Sequence, residues 1–153
     1  MKGMLAVVPC GKAKVWDKEA GAGPTEGRDA YVGPPFKANR EYAERFGERW
    51  VILSGKYGFI SPEFMIPGPY DVTFKDPSTT PISVAELREQ VDAEGLGEYR
   101  IVIGLGSKDY QERVAEALRG RGVEVRFPFA GLRMFEQIGA VKRAVERGEP
   151  FGK

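Results

Sequence analysis

Met4-Leu5-Ala6-Val7-Val8, closed by Pro9 and followed at once by Cys10-Gly11-Lys12-Ala13-Lys14, decides the fold. A short unbroken apolar run ended by a turn residue suits a strand buried on both faces of a parallel sheet. Three later runs repeat the pattern: Trp50-Val51-Ile52-Leu53-Ser54, Tyr99-Arg100-Ile101-Val102-Ile103-Gly104-Leu105, and Val123-Glu124-Val125-Arg126-Phe127. The last alternates apolar and charged residues, as an edge strand does. Between the strands lie helical stripes. Phe36, Ala43 and Phe46, with Tyr42 nearby, mark about 35–47, and Val84, Leu87 and Val91 mark about 83–94, where Ser83 and Glu86 form a capping box. Tyr110, Val114, Ala117 and Leu118 mark about 108–119, which Gly120 and Gly122 terminate. Leu132, Phe135, Ile138, Val141 and Val145 mark about 131–147, with Leu132 and Phe135 expected in the core. The alternation predicts one α/β domain over residues 1–153: a three-layer α/β/α sandwich around a four-stranded parallel sheet. Right-handed crossovers and the two most apolar strands favour the order 2-1-3-4.

Composition narrows the function. The 153 residues carry 23 Lys+Arg against 22 Asp+Glu, so any anion binding comes from local clustering and not from bulk charge. There is no histidine, which removes the commonest general base and metal ligand. A single cysteine, Cys10, leaves neither an internal disulfide nor a thiolate zinc cluster, and no metal or cofactor is expected. No apolar run reaches the ~20 residues that span a bilayer, and the N-terminal residues lack a signal-peptide pattern. A cytoplasmic protein without membrane contact is expected. Asn39 is the only asparagine, in a composition that resembles a thermophile's.

In open parallel sheets, ligands bind beyond the carboxyl ends of the strands. Each such end here combines glycine with a cation: Cys10-Gly11-Lys12 and Lys14, then Ser54-Gly55-Lys56-Tyr57-Gly58, then Gly104, Gly106, Ser107 and Lys108, then Gly131 and Arg133. Glycine lets backbone N–H groups approach a ligand, helix N-termini add partial positive charge, and lysine adds a mobile one. The pattern points to one anion site for phosphate or carboxylate; the competing account is that strand ends need polar turns anyway. Lys12 and Lys56 are the leading contacts, with Lys14, Ser107 and Lys108 beside them. Gly104-Leu105-Gly106-Ser107-Lys108 is too short for a Walker A loop.

Cys10 stands where a nucleophile would, near lysines that favour its thiolate, yet without a histidine base; packing is the alternative. Pro69-Tyr70-Asp71-Val72-Thr73 presents a ring for stacking and a carboxylate base, or else a packed tyrosine and a turn cap. Tyr57 with Lys56 could grip a base or sugar phosphate. Arg28-Asp29 reads as a surface pair, and Lys142, Arg143 and Arg147 as a solvated helix face. Residues 15–34 and 55–82 are long, Gly- or Pro-rich loops of the kind that is functional or flexible.

Together, Val8-Pro9-Cys10-Gly11-Lys12-Ala13-Lys14, Ala30-Tyr31-Val32-Gly33-Pro34-Pro35-Phe36, Ile52-Leu53-Ser54-Gly55-Lys56-Tyr57-Gly58 and Pro69-Tyr70-Asp71-Val72-Thr73 resemble an uncharacterised domain family of bacteria, archaea and phages. That family is in turn similar to the YaaA peroxide-stress group and to uracil-DNA-glycosylase-like domains. The resemblance covers about residues 5–75 with good specificity and the rest of the chain loosely. It implies a three-layer α/β/α fold and, by association, a nucleotide or nucleic-acid context; no reaction comes with it. Cys10, Lys12, Ser54, Lys56, Tyr57, Gly58, Tyr70 and Asp71 match the pattern, and Gly55 stands where the family often has alanine. The missing histidine departs from a typical glycosylase site. Three functions stay open: an enzyme acting on a phosphate-bearing nucleotide or nucleic-acid component, with Asp71 activating water at an N-glycosidic bond; a non-catalytic nucleotide- or nucleic-acid-binding module; and a partner-binding domain of unknown oligomeric state.

Overall fold

The computed structural model describes residues 2–151. At its centre β1 (Lys2–Pro9) lies between two parallel neighbours, β3 (Arg49–Ser54) and β6 (Tyr99–Gly104). Register follows from burial on both faces, with Val8 opposite Ile52 and Leu5 opposite Val102. β7 (Glu124–Arg126) extends the sheet beyond β6 in the same direction. Glu124 and Arg126 are exposed around a half-buried Val125, the edge alternation expected from the sequence. The four strands read from the sequence thus stand in the order 2-1-3-4. A fifth was missed: β4 (Gly58–Ile60) runs antiparallel on the outer side of β3, giving β4-β3-β1-β6-β7.

Period-two alternation sends neighbouring residues of β1 to opposite faces. Ala6 and Val8, with Ile52 and Ile103, pack with α3 (Pro34–Phe46) and α6 (Met134–Arg147). Leu5 and Val7, with Leu53 and Val102, pack with α4 (Val84–Ala93) and α5 (Lys108–Leu118). Phe36, Tyr42 and Ala43 form the buried stripe of α3 at the expected helical spacing. Ser83 caps α4 as expected, its hydroxyl accepting from Glu86 N–H at 3.1 Å while the Glu86 carboxylate accepts from Ser83 N–H at 3.3 Å. Among the described residues no helix is long and apolar enough to cross a membrane.

Three expectations need correction. First, Leu132 and Phe135 are not core: they are 41% and 86% exposed. Helix α6 begins at Met134, and its first turn borders an open cleft, so the inward stripe starts only at Ile138. Second, Arg28 does not pair with Asp29. It lies between Glu26, at 3.2 Å, and Glu63, while Asp29 faces Arg40 at 3.8 Å. Third, the two long loops are knit together and carry structure of their own. The first holds α1 (Val15–Lys18), β2 (Thr25–Glu26) and α2 (Gly27–Ala30); β2 pairs antiparallel with β5 (Met65–Ile66) of the second. Gly27 and Arg28 donate their N–H groups to the carbonyls of Phe64 and Pro62 at 2.8 and 2.9 Å. Trp16 is buried beneath, with Nε1 donating to Gly23 O at 2.9 Å.

Candidate functional site

The connection leaving β1 runs through α3 on one face to β3, whereas that leaving β6 runs through α5 on the other face to β7. The adjacent carboxyl ends of β1 and β6 are therefore where the winding direction reverses, the position at which such sheets open a crevice. A cleft of about 670 Å3 lies there, lined by Pro9 through Lys14 from the first connection and by Gly106, Ser107 and Tyr110 from the second. Cys10 prolongs the parallel pairing by one bond, donating its N–H to Leu53 O at 3.0 Å, before the chain turns away at Gly11. Gly106 has φ +94°, and a Cβ there would sit 2.5 Å from Pro9 Cγ. Only glycine lets these two loops touch and share one cleft floor.

Three helix starts reach the same space: Gly33, Pro34 and Pro35 of α3, Ser107 before α5, and Leu132 and Met134 around the start of α6. The prolines at the first two positions of α3 carry no N–H. Ser107 makes no side-chain cap, so it leaves the first N–H groups of α5 free, with Asp109 in the first turn offsetting part of their positive charge. At α6 the Glu136 carboxylate already accepts from Arg133 N–H at 2.9 Å, which offsets that end. Lys12, Lys14 and Lys75 contribute cations and Asp71 the opposing carboxylate. Among the described residues none of the three lysines is in an ion pair. Phe36, Val72, Leu132, Met134 and Ile138 give the cleft apolar walls.

The sequence candidates divide here. Cys10, Lys12, Lys14, Asp71 and Ser107 line the cleft; Ser54, Lys56, Tyr57, Tyr70 and Lys108 do not. Ser54 is fully buried. Its Oγ accepts from the N–H groups of Lys56 and Tyr57, both at 3.2 Å, and shares a hydrogen bond with the Tyr70 hydroxyl at 2.8 Å. Gln90 holds the other side of the turn: its amide donates to Tyr57 O at 2.9 Å and accepts from Phe59 N–H at 2.8 Å. Ser54-Gly55-Lys56-Tyr57-Gly58 is thus the corner that reverses the chain into β4, which explains its composition without a ligand. The Tyr70 hydroxyl also meets that of Tyr31, so the ring that looked free to stack points its polar end inward. Lys14 and Lys56 lie over that ring, 4.7 and 5.8 Å from its centroid.

Cys10 Sγ lies 3.3 Å from the Tyr110 hydroxyl. Burial raises Tyr31, Tyr70 and Tyr110 well above the usual phenol range, and the neighbouring Cys10 charge adds to the effect in each. These phenols stay protonated and act as hydrogen-bonding groups, Tyr110 on the cleft lining and Tyr31 and Tyr70 away from it.

A model of a family of unknown function, DUF6884, matches residues 5–143. The chain belongs to the DUF6884 family. The match runs well past the sequence motifs and takes in β6, α5, β7 and most of α6, so both sides of the cleft fall within the family's extent. A curated relative, "Uncharacterized protein YfjM" of Bacillus subtilis (strain 168), is 36% identical over 143 residues, covering 93% of this chain and 95% of its own.

Several lining residues escaped the sequence reading: Asn39, Lys75, Tyr110 and Gln137. Asn39 left a usable signal. It falls three residues after Phe36 and four before Ala43, on the apolar stripe of α3, where a polar side chain needs a reason.

Proposed function

We propose that the cleft between the carboxyl ends of β1 and β6 binds a phosphate-bearing nucleotide or nucleic-acid component. One observation carries this reading: Lys12, Lys14 and Lys75, in no ion pair among the described residues, share an apolar-walled cleft at the reversal of winding with the start of α5, which has no side-chain cap. Lysine ammonium groups and free helix N–H groups are suited to phosphate, and Phe36, Leu132, Met134 and Ile138 to a base or sugar face. Lys12 and Ser107 are the primary phosphate contacts in this reading, and Lys14 is placed over Tyr70 to assist. Asp71, the carboxylate on the same wall, is the residue placed to activate water or to stabilise a cationic sugar if the ligand is turned over. Cys10 touches the cleft but shares its sulfur with Tyr110, which suits it better to supporting the floor than to attack. Ser54, Lys56, Tyr57 and Tyr70 support the wall from behind.

Thermal shift with a ladder of nucleosides, nucleoside mono-, di- and triphosphates at low salt tests the reading. Ligand at 100 times its Kd stabilises by about 2.7 kcal/mol, a rise of roughly 5–11 °C for a chain of this size. Shifts are expected only with phosphate present, and Lys12→Ala should remove most of the effect. No shift with any phosphorylated compound, or unchanged binding by Lys12→Ala, sinks the proposal. A second reading, a single-stranded nucleic acid running past the cleft, is favoured by the exposed Phe135 ring, next in sequence to the cleft-lining Met134, which offers a base a stacking face.

A further inference from the structure

We propose that Asn39 recognises a neutral, amide-like edge of the ligand, so that the cleft takes a nucleobase and not merely a phosphorylated sugar. The inference rests on the anion-site reading above and adds the ligand's other end. Asn39 is 6% exposed and lines the cleft; among the described residues no protein group hydrogen-bonds its side-chain amide, whose polar atoms keep some access to solvent. Buried polar groups are nearly always paired, because stripping water from an amide without replacing its bonds costs stability. Asn39 escapes that cost because its amide is still reached from solvent, and an amide that lines a cleft without a protein partner is free to bond what enters it.

The chemistry of the group limits what that is. A primary carboxamide presents an acceptor oxygen and a donor nitrogen side by side in one plane. Phosphate and carboxylate offer acceptors alone and are already served by Lys12, Lys14 and the start of α5. The matching partner has an adjacent donor and acceptor, which is the edge of a nucleobase. The cleft's other amide has its donors committed: Gln137 Nε2 donates to Gly106 O at 3.1 Å and to Phe129 O at 3.0 Å. Phe36, one turn before Asn39 on α3, and Ile138 on α6 line the cleft with it and give a planar ring apolar surface.

Asn39→Leu keeps the shape and removes both hydrogen-bonding groups; Asn39→Ala serves if leucine perturbs packing. Calorimetric titration of the full chain uses AMP, GMP, CMP and UMP against ribose 5-phosphate. At least one nucleotide should bind the parent protein about tenfold or more tighter than ribose 5-phosphate, and Asn39→Leu should abolish that preference while leaving ribose 5-phosphate affinity within about twofold. The unliganded variant should melt no lower than the parent, since nothing in the fold loses a partner. Equal loss for all ligands, an unchanged preference, or a marked drop in melting temperature would show Asn39 to be structural and overturn the inference while leaving the anion site standing. If neither ribose 5-phosphate nor any nucleotide binds, both readings fall.

Discussion

Replacing Ser54 by alanine should destabilise the protein strongly although it touches no ligand. Ser54 Oγ sits at complete burial and serves three groups: the N–H of Lys56, the N–H of Tyr57 and the hydroxyl of Tyr70. Alanine leaves all three short of a partner. A buried group stranded in this way costs about 1–3 kcal/mol. The two N–H contacts at 3.2 Å are long, and Tyr70 retains its bond to Tyr31, so each belongs at the low end. The sum is about 3 kcal/mol, a fall of roughly 6–12 °C in melting temperature. Tyr70→Phe removes one end of the same bond and should cost about 1–2 kcal/mol. Because the two residues share that bond, the double variant should be less damaged than the singles added together, by about 1 kcal/mol. Urea unfolding of the four proteins with a common m-value measures the cycle. A Ser54→Ala cost under about 0.5 kcal/mol, or strict additivity with Tyr70→Phe, would refute the assignment of this corner to the scaffold.

Two further outcomes follow from the same geometry. Gly106→Ala should cost about 2–4 kcal/mol in urea unfolding, combining a positive φ with a Cβ driven into the Pro9 ring, and should weaken any cleft ligand by separating the two loops. Stability should also fall at alkaline pH. Burial raises the pKa of Tyr31, Tyr42, Tyr70 and Tyr110 in the folded state, so their contribution is complete below the unfolded value near pH 10 and is lost as pH climbs towards the folded values. The slope approaches about 1.4 kcal/mol per pH unit for each tyrosine. Phenolate absorbance from these rings should therefore appear together with unfolding; early, reversible ionisation in the folded protein would contradict their burial.

The sheet was legible because burial on both faces writes itself into sequence as unbroken apolar runs. Leu5 through Val8, Val51 through Leu53 and Ile101 through Ile103 are such runs, and three of the four helices read from the sequence carried stripes that the structure buries. β4 was not legible. Three residues, Gly58-Phe59-Ile60, are too few to show a period, and their pairing depends on the corner that Gln90 braces from thirty residues away in the chain. Phe135 misled for a related reason: it continues the spacing of Ile138, but spacing cannot reveal that nothing covers it in the fold, where it is largely exposed.

The candidate site shows why residue type at a strand end is weak evidence about role. Lys12 and Lys56 follow neighbouring parallel strands, each next to glycine, and nothing in their local sequence separates them. The order of the sheet does. Lys12 leaves β1 beside β6, where the connections part to opposite faces and a cleft opens. Lys56 leaves β3, and the chain there must fold back at once into β4, so the corner closes the space that a ligand would need. What remains for Lys56 is the rings of Tyr57 and Tyr70, 5.3 and 5.8 Å from their centroids, and Lys14 lies over the same Tyr70 ring at 4.7 Å. The same pairing of glycine with lysine thus borders an open cleft at one strand end and sits in a closed corner at the next, and topology, not composition, assigns which.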